Sequence, residues 1–287
     1  VTQPVPAAPQ DDLVNAITIP PVVEHENPFA AVISFFTKTM TIVWLEARKL
    51  RHDPTDLLTR AVQPALWILV FGEVFAHVRA IPTGGKPYLD FLAPGILAQS
   101  VLFIAIFSGI AIIWERDLGI IHKFLASPTP RLALVLGKAL ASGVRGLAQA
   151  IIIYVLALLL GVQMNWNPLD LLGVIVMVIM GAACFSTFSL IIACLVRTRE
   201  RFMGIGQVLT MPLFFASNAI YPVAIMPTWL QIIARCNPLS YEVDSLRAMM
   251  LVGGTAATPL GLDFAVLFVV TVILLLIGAQ LYPRVAY

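Results

Sequence analysis

Charge is scarce in this sequence: Asp, Glu, Lys and Arg make up 12% of 287 residues, where a soluble domain carries roughly a quarter. With 59% hydrophobic residues and a mean hydropathy of +0.91, the chain reads as an integral membrane protein. The 18 Lys and Arg nearly cancel the 16 Asp and Glu, which excludes the broad basic face that nucleic acid requires. Cysteine is scarcer still. Cys184 and Cys194 share one apolar run and Cys236 stands alone in a later segment, so neither a disulfide framework nor a paired-cysteine metal motif is present. The histidines, His25, His52, His77 and His122, are scattered, and none forms the pair that a zinc protease sets on one helix face. A phosphate-binding loop needs GxxxxGK[ST]. Gly85-Lys86 and Gly137-Lys138 are followed by Pro87 and Ala139 and preceded, five residues back, by Ala80 and Leu132, so both fail at two positions. The GxSxG elbow of serine hydrolases is also missing. The chain therefore reads as no enzyme, with no ATP-hydrolysing motif and no metal site of its own.

What is present is a series of long apolar runs. Ala61 to Val78, Phe91 to Trp114, Ser142 to Gly161, Leu171 to Val196, Phe202 to Tyr221 and Phe264 to Tyr282 each approach the roughly 20 residues that span a bilayer. The predicted architecture is thus all-α, a polytopic protein of six transmembrane helices. The first run is the weakest, since it carries Glu73 and His77. Lys38, Arg48, Lys49, Arg51 and Arg60 precede it, Arg116, Lys123, Arg131 and Lys138 separate the second and third, and Arg197, Arg199 and Arg201 separate the fourth and fifth. The intervening loops hold far fewer basic residues. Lys and Arg are retained on the cytoplasmic side, so both termini are expected in the cytoplasm.

Three segments fall outside these runs. In 28–53, Phe29, Val32, Ile33, Phe36, Met40, Val43 and Trp44 recur at helical spacing, with Lys38, Glu46, Arg48 and Lys49 off that stripe; this predicts an amphipathic helix in the inner interface, ended by Pro54. From Glu115 to Arg131, a charged start, the apolar positions Leu118, Ile121, Phe124 and Leu125 and a double-proline exit bound a short helix. That helix could rest on the membrane or dock a soluble partner. In Ile220 to Arg247, Pro222, Pro227 and Pro238 interrupt the apolar stretch, which predicts a re-entrant external excursion packed at the outer mouth of the bundle. The domain reading is a disordered tail at 1–27 without the features of a secretory signal peptide, an amphipathic helix at 28–53 and the six-span domain at 54–287.

Few ionisable or polar groups lie within the runs. Glu73 and His77, one helical turn apart, read either as an interfacial cluster or as a proton-handling pair. Arg145 either snorkels to the inner headgroups or meets an anionic substrate. Gly181, Ala182, Ala183 and Ser186 suit close helix packing. Gln99, Ser100, Phe103 and Phe107 of the second run, with Gln207, Thr210, Phe214, Phe215, Ser217 and Asn218 of the fifth, could line one pathway or simply pack.

Together, the Trp44-Leu45-Glu46-Ala47-Arg48-Lys49 stretch leading to Asp53-Pro54, Gln63-Pro64, Phe71-Gly72, Leu92-Ala93-Pro94-Gly95, Glu115 to Arg131 and Asn237-Pro238-Leu239-Ser240-Tyr241 resemble the type-2 permeases of ABC transporters. These are the membrane halves of bacterial drug, lipid and polysaccharide exporters, and the likeness covers nearly all of the chain after the tail. The resemblance implies that 28–53 is a connecting helix bearing Trp44, Glu46, Arg48 and Lys49. It implies that Glu115 to Ser127 is a coupling helix on which Glu115, Arg116, Asp117, Leu118, Ile121, Phe124 and Leu125 meet an ATPase. It places Gln99, Phe103, Phe107, Thr210, Phe214, Phe215 and Asn218 along the substrate path. It further implies a dimer with a second permease copy or a related one, and an ABC ATP-binding subunit that carries ATP and Mg, this chain binding no cofactor. The location implied is the inner (plasma) membrane, among lipid, with export of a hydrophobic or amphipathic compound of the daunorubicin-resistance kind. A polysaccharide or glycolipid cargo is the alternative, and an ion-coupled transporter using Glu73 and His77 is the competing class.

Overall fold

Hydrocarbon offers a peptide group no hydrogen-bond partner, so a chain this apolar has to satisfy its backbone internally. Helix achieves that within each segment. The computed structural model describes residues 28–52, 54–72, 74–75, 87–126, 129–196 and 198–283, with their side chains except those of 28–31, 49–52, 54–58, 60, 122 and 125. Among these residues ten α-helices follow one another and no strand forms: α1 (Pro28–His52), α2 (Pro54–Leu66), α3 (Tyr88–Asp117), α4 (Ile120–Ala126), α5 (Arg131–Leu159), α6 (Pro168–Leu195), α7 (Arg199–Phe215), α8 (Thr228–Cys236), α9 (Pro238–Met250) and α10 (Leu260–Leu281). A π turn, Trp67–Phe71, continues α2, and a 3₁₀ turn, Val223–Ile225, precedes α8. The described residues divide into two units between Ser34 and Phe35. In the first, the described residues are the opening turns of α1; the second holds all the other elements. The tail predicted at 1–27 lies outside the described residues.

Four helices, α3, α5, α6 and α10, are long and apolar enough to cross a membrane. They answer to the second, third, fourth and sixth apolar runs. The first and fifth runs are present as shorter helices, and each has a physical reason to be short. Pro64 lies inside α2, where it removes one intrahelical hydrogen bond, and the backbone widens into the π turn immediately afterwards. The helix of the fifth run, Phe202 to Tyr221, begins at Arg199-Glu200-Arg201 and stops at Phe215, short of the run's end. Beyond it, Ser217 Oγ donates to the Phe214 carbonyl at 2.6 Å and accepts from Ala219 N at 3.3 Å, turning the chain out of the helix.

α6 is the centre of the bundle and packs against α3, α5, α9 and α10. Its small residues allow this: Gly181, Ala182, Ala183 and Ser186 are all buried, so backbones approach closely. The outer helices carry their apolar residues outward. Phe268, Val269, Ile273, Leu276 and Ile277 of α10 are exposed, as are Ile151, Val155, Leu158 and Leu159 of α5, an apolar surface far larger than a water-facing protein tolerates. α1 follows the same rule. Phe36, Met40 and Trp44 lie exposed, while Ile42 packs over Gly137 of α5 and Glu46 turns toward the bundle.

The prolines predicted to break 220–247 all stand at helix starts, which removes the need for their missing N–H groups. Pro222 precedes the 3₁₀ turn, Pro227 precedes α8, and Pro238 opens α9 behind Asn237. Asn237 Oδ1 accepts from Leu239 N at 3.0 Å, while its Nδ2 donates to the carbonyls of Leu213 (2.7 Å) and Ala216 (3.1 Å). One side chain thus caps α9 and ties it to the end of α7. α9 then packs into the bundle against α3, α6 and α10.

The Leu92-Ala93-Pro94-Gly95 stretch has a steric explanation at its glycine. A methyl group on Gly95 would lie 2.8 Å from the Ala219 Cα and carbonyl carbon, and backbone cannot move aside as a side-chain tip can. Gly95→Ala is therefore expected to lose roughly 1–3 kcal/mol of stability through overpacking, read as a lower thermal midpoint in detergent. Gly261→Ala in α10, with nothing within 4 Å, is expected to hold or raise the midpoint.

Candidate functional site

Two regions bring the singled-out residues together. The first lies where α3 passes into α4. α3 ends at Asp117, and Gly119, at φ +69°, supplies the left-handed turn that a residue with a Cβ adopts at a penalty. Gly119 N donates to the Arg116 carbonyl at 2.9 Å and closes the helix end. The short α4 then begins at Ile120, and the double proline at 128 and 130 precedes α5.

Several charges at this end are paired within the chain. Glu115 forms an ion pair with Lys138 of α5, and Glu46 of α1 forms one with Arg145 of α5. Arg145 thus neither snorkels unaccompanied nor stands free for an anion. Asp117 accepts from Arg199 of α7 at 2.6 Å and pairs with its neighbour Arg116 at 3.4 Å. Arg116 also donates to the Val196 carbonyl at 3.2 Å, and the Arg199 guanidinium lies 3.9 Å from the Trp114 ring centre. In this way α1, α3, α5 and α7 are joined at one end by charge. Glu46, Glu115, Lys138 and Arg145 line a small cleft of about 30 Å³.

The apolar positions of this segment divide. Ile121 is fully buried in a small core with Ile112, Ile113, Leu134, Val135 and Phe202, and Phe124 packs against that core. Leu118 is 67% exposed, and the Leu125 side chain lies outside the described residues. In α1, Trp44 is exposed with the Arg48 guanidinium 5.4 Å from its ring centre; the Lys49 side chain lies outside the described residues. So do Glu73 and His77.

The second region is a cavity of about 340 Å³ between α2, α3 and α7. α3 lines it with Gln99, Ser100, Phe103, Ile104 and Phe107; α7 adds Gln207, Thr210 and Met211; α2 adds Thr59, Gln63 and Pro64. The periodicity explains this, because positions 99, 103 and 107 share one face of a helix, as do 207, 210 and 211. Phe103 and Phe107 stack on one another with ring centres 6.2 Å apart. Ser100 and Thr210 hydroxyls donate to the carbonyls one turn back, at 2.7 and 2.5 Å. Four of the seven predicted pathway residues, Gln99, Phe103, Phe107 and Thr210, therefore meet at one cavity. The other three do not line it: Phe214 is fully buried, edge-on to Trp67 at 5.8 Å, Phe215 packs beside Phe214, and Asn218 is buried in the turn after α7.

The sequence reading did not bring Gln63 to this cavity, nor did it find the buried charges of α9. Arg247 donates to the carbonyls of Asn218 (2.8 Å) and Phe91 (3.4 Å) and lies 3.9 Å from the Phe91 ring centre. Asp244 accepts from Ala257 N and Thr258 N at 2.7 and 2.9 Å. Glu242 is fully buried, and neither carboxyl oxygen has a hydrogen-bond partner among the described residues. The available signal was three ionisable residues within six positions of a segment otherwise rich in apolar residues.

These features describe a membrane-type helical bundle with a cluster of paired charges at one end. Residues 37–251 match the ABC-2 type transporter family, and the chain belongs to that family. A Cyanophora paradoxa protein named a transport permease, ycf38, is 31% identical over 231 residues, 78% of each chain. The daunorubicin resistance ABC transporter permease protein DrrB1 of Streptomyces coeruleorubidus is 26% identical over 212 residues, 74% of each chain. Nodulation protein J of Rhizobium leguminosarum bv. viciae is 25% identical over 231 residues, 80% of this chain and 87% of that one. The chain is thus a multi-pass membrane permease subunit, and its family implies an ATP-binding partner subunit.

The Glu46–Arg145 pair is open to a direct check. Arg145→Glu is expected to lose roughly 1.5–3 kcal/mol, the range of a hydrogen bond to a charged group, and to lower the thermal midpoint. Adding Glu46→Arg is expected to restore most of that loss; failure of the exchange to recover stability would show that the two residues act separately.

Proposed function

We propose that this chain is the membrane half of an ATP-driven exporter that moves a hydrophobic or amphipathic compound out of the cytoplasm or inner leaflet. The observation that carries the reading is the cavity between α2, α3 and α7, whose polar and aromatic wall sits in a chain with no energy-converting motif. Exposed Gln63 and Gln207 at that wall would be unfavourable against lipid. They favour a face turned to a second permease copy across a shared pathway. In this reading α2 with its π turn and α7 complete a six-span half, and the α8–α9 pair is the re-entrant external segment. Both termini are cytoplasmic, in the inner (plasma) membrane.

Energy enters by contact. α1 serves as connecting helix and α4, with the end of α3, as coupling helix; the partner subunits bind ATP and Mg, and their closure pushes on this end. Leu118 and Asp117 offer the exposed positions for that push, while Ile121 and Phe124 anchor α4 to the bundle. Access then alternates between the two sides as a rigid-body change among packed helices.

The test is purification of the chain from its native membrane in mild detergent, with identification of what accompanies it and assay of vanadate-sensitive ATP hydrolysis. A phosphate-loop ATPase recovered near equal stoichiometry supports the reading, whereas an active chain without one overturns it. Within an assembled complex, Asp117→Arg is expected to leave basal ATP hydrolysis near normal while export falls about tenfold or more. Adding Arg199→Asp, which restores the opposite charges, is expected to recover export. Normal export by Asp117→Arg alone would remove the coupling assignment.

A further inference from the structure

The cavity holds an unmet hydrogen-bonding group. Gln99 is 2% exposed, lines the cavity, and its amide oxygen has no hydrogen-bond partner among the described residues. That oxygen is sealed from solvent without a donor, which is unfavourable, so a molecule that fills this space and offers a donor as the amide turns toward it is favoured over one that does not. Below Gln99 on the same face, Phe103 and Phe107 present stacked rings, which suit a flat apolar group. Gln63 and Gln207 add amides at the exposed side, groups that can both donate and accept.

The composition of the wall sets a second condition. Among the described residues that line it there is no Asp, Glu, Lys or Arg; the inner charges are paired to one another around the separate cleft. A charged group entering the cavity would shed its water with no counter-ion to meet it, and the attraction of a ring face for a cation does not replace a full hydration shell. A hydroxyl meets its match in the amides at no such penalty.

Resting on the exporter reading of this cavity, we infer that it binds its substrate uncharged, as an amphipath whose flat ring lies on Phe103 and Phe107 and whose hydroxyl donates to the Gln99 amide oxygen as that amide turns to meet it. The cavity's 340 Å³ falls at the low end of small-molecule sites. One ring system and its hydroxylated substituent occupy it, so a larger cargo would extend past Gln63 and Gln207.

Three probes of shared ring size separate the terms: 2-naphthyl glucoside, neutral and hydroxylated; 2-methoxynaphthalene, neutral without a donor; and a naphthyl trimethylammonium. Their equilibrium binding is measured to the full-length chain in lipid nanodiscs without nucleotide, after subtraction of uptake by empty nanodiscs. The glucoside is expected to bind at least tenfold more tightly than the ammonium. Gln99→Leu is expected to weaken the glucoside about tenfold while leaving methoxynaphthalene within twofold, and Gln99→Glu to move the preference toward the ammonium. Equal or tighter binding of the ammonium to the unaltered chain, glucoside binding indifferent to Gln99→Leu, or saturable binding of none of the probes would overturn the inference. If the expected pattern appears yet no ATPase accompanies the chain from its membrane, the exporter reading fails and the site stands. If an ATPase assembles but the probe order is reversed, only the site chemistry fails.

Discussion

Polar groups in this protein need partners that the surrounding lipid does not supply, and the fold is arranged around providing them. Within each helix the backbone is satisfied by periodicity alone. The difficult cases are the ends, the turns and the side chains, and these are met by a small set of residues that each serve several neighbours. Asn237 caps α9 and takes up two carbonyls at the end of α7. Asp244 receives the Ala257 and Thr258 amides, and Thr258 also donates to Asp263 at the start of α10. Arg247 reaches two carbonyls on different elements. Remove such a residue and more than one element loses its anchorage.

Packing follows from the same scarcity. Lipid tails are as apolar as the side chains they meet, so helices gain little from burying leucine against leucine and associate instead through close backbone approach. α6 meets four neighbours by keeping small residues at their contacts, and Gly95 lets the turn around Ala219 rest directly on α3. The result is a tight group of α3, α5, α6, α9 and α10. α7 belongs to it less fully, packing mainly on α3, and the cavity lies on the side where that group gives way to α2 and α7.

How much of this could be read from residues alone varied with how local the cause was. Long apolar helices were legible because length and hydropathy are properties of the segment itself, and the proline breaks in 220–247 were legible because a missing N–H acts on its own helix. The convergence of Gln99, Phe103 and Phe107 was legible as a face of one helix. Phe214 illustrates the limit: it lies one turn from Thr210, yet Trp67 of the π turn meets it and takes it into the core, a contact that depends on a distant segment. Arg145 shows the same limit in electrostatics. Its partner Glu46 is 99 positions away, so only the fold decides between a snorkelling arginine and a paired one. Ile121, equally, looks like a docking residue in its own helix and is a core residue once Phe202 and Leu134 are brought beside it.

The proposed exporter cycle asks how a push at α4 would reach a cavity above it, and the geometry offers a direct route. α3 carries both ends of the matter on one unbroken helix: Phe107 in the cavity wall and Glu115 in the charged end are eight residues apart, about 12 Å along the axis. α7 repeats the arrangement, with Arg199 at its start and Gln207 in the wall at the same spacing. Asp117 and Arg199 join the two helices at their charged ends, while no ion pair joins them at the cavity among the described residues. The two helices are thus clasped at the charged end and held again beyond the cavity, where Gly95 rests on the turn at Ala219 and Arg247 bridges Phe91 and Asn218. On this reading, displacement at the clasp would change the opening between Phe103 and Thr210 without unfolding either helix. In the proposed cycle, the cavity wall and the exposed positions at the charged end need no intermediary beyond the helices they share.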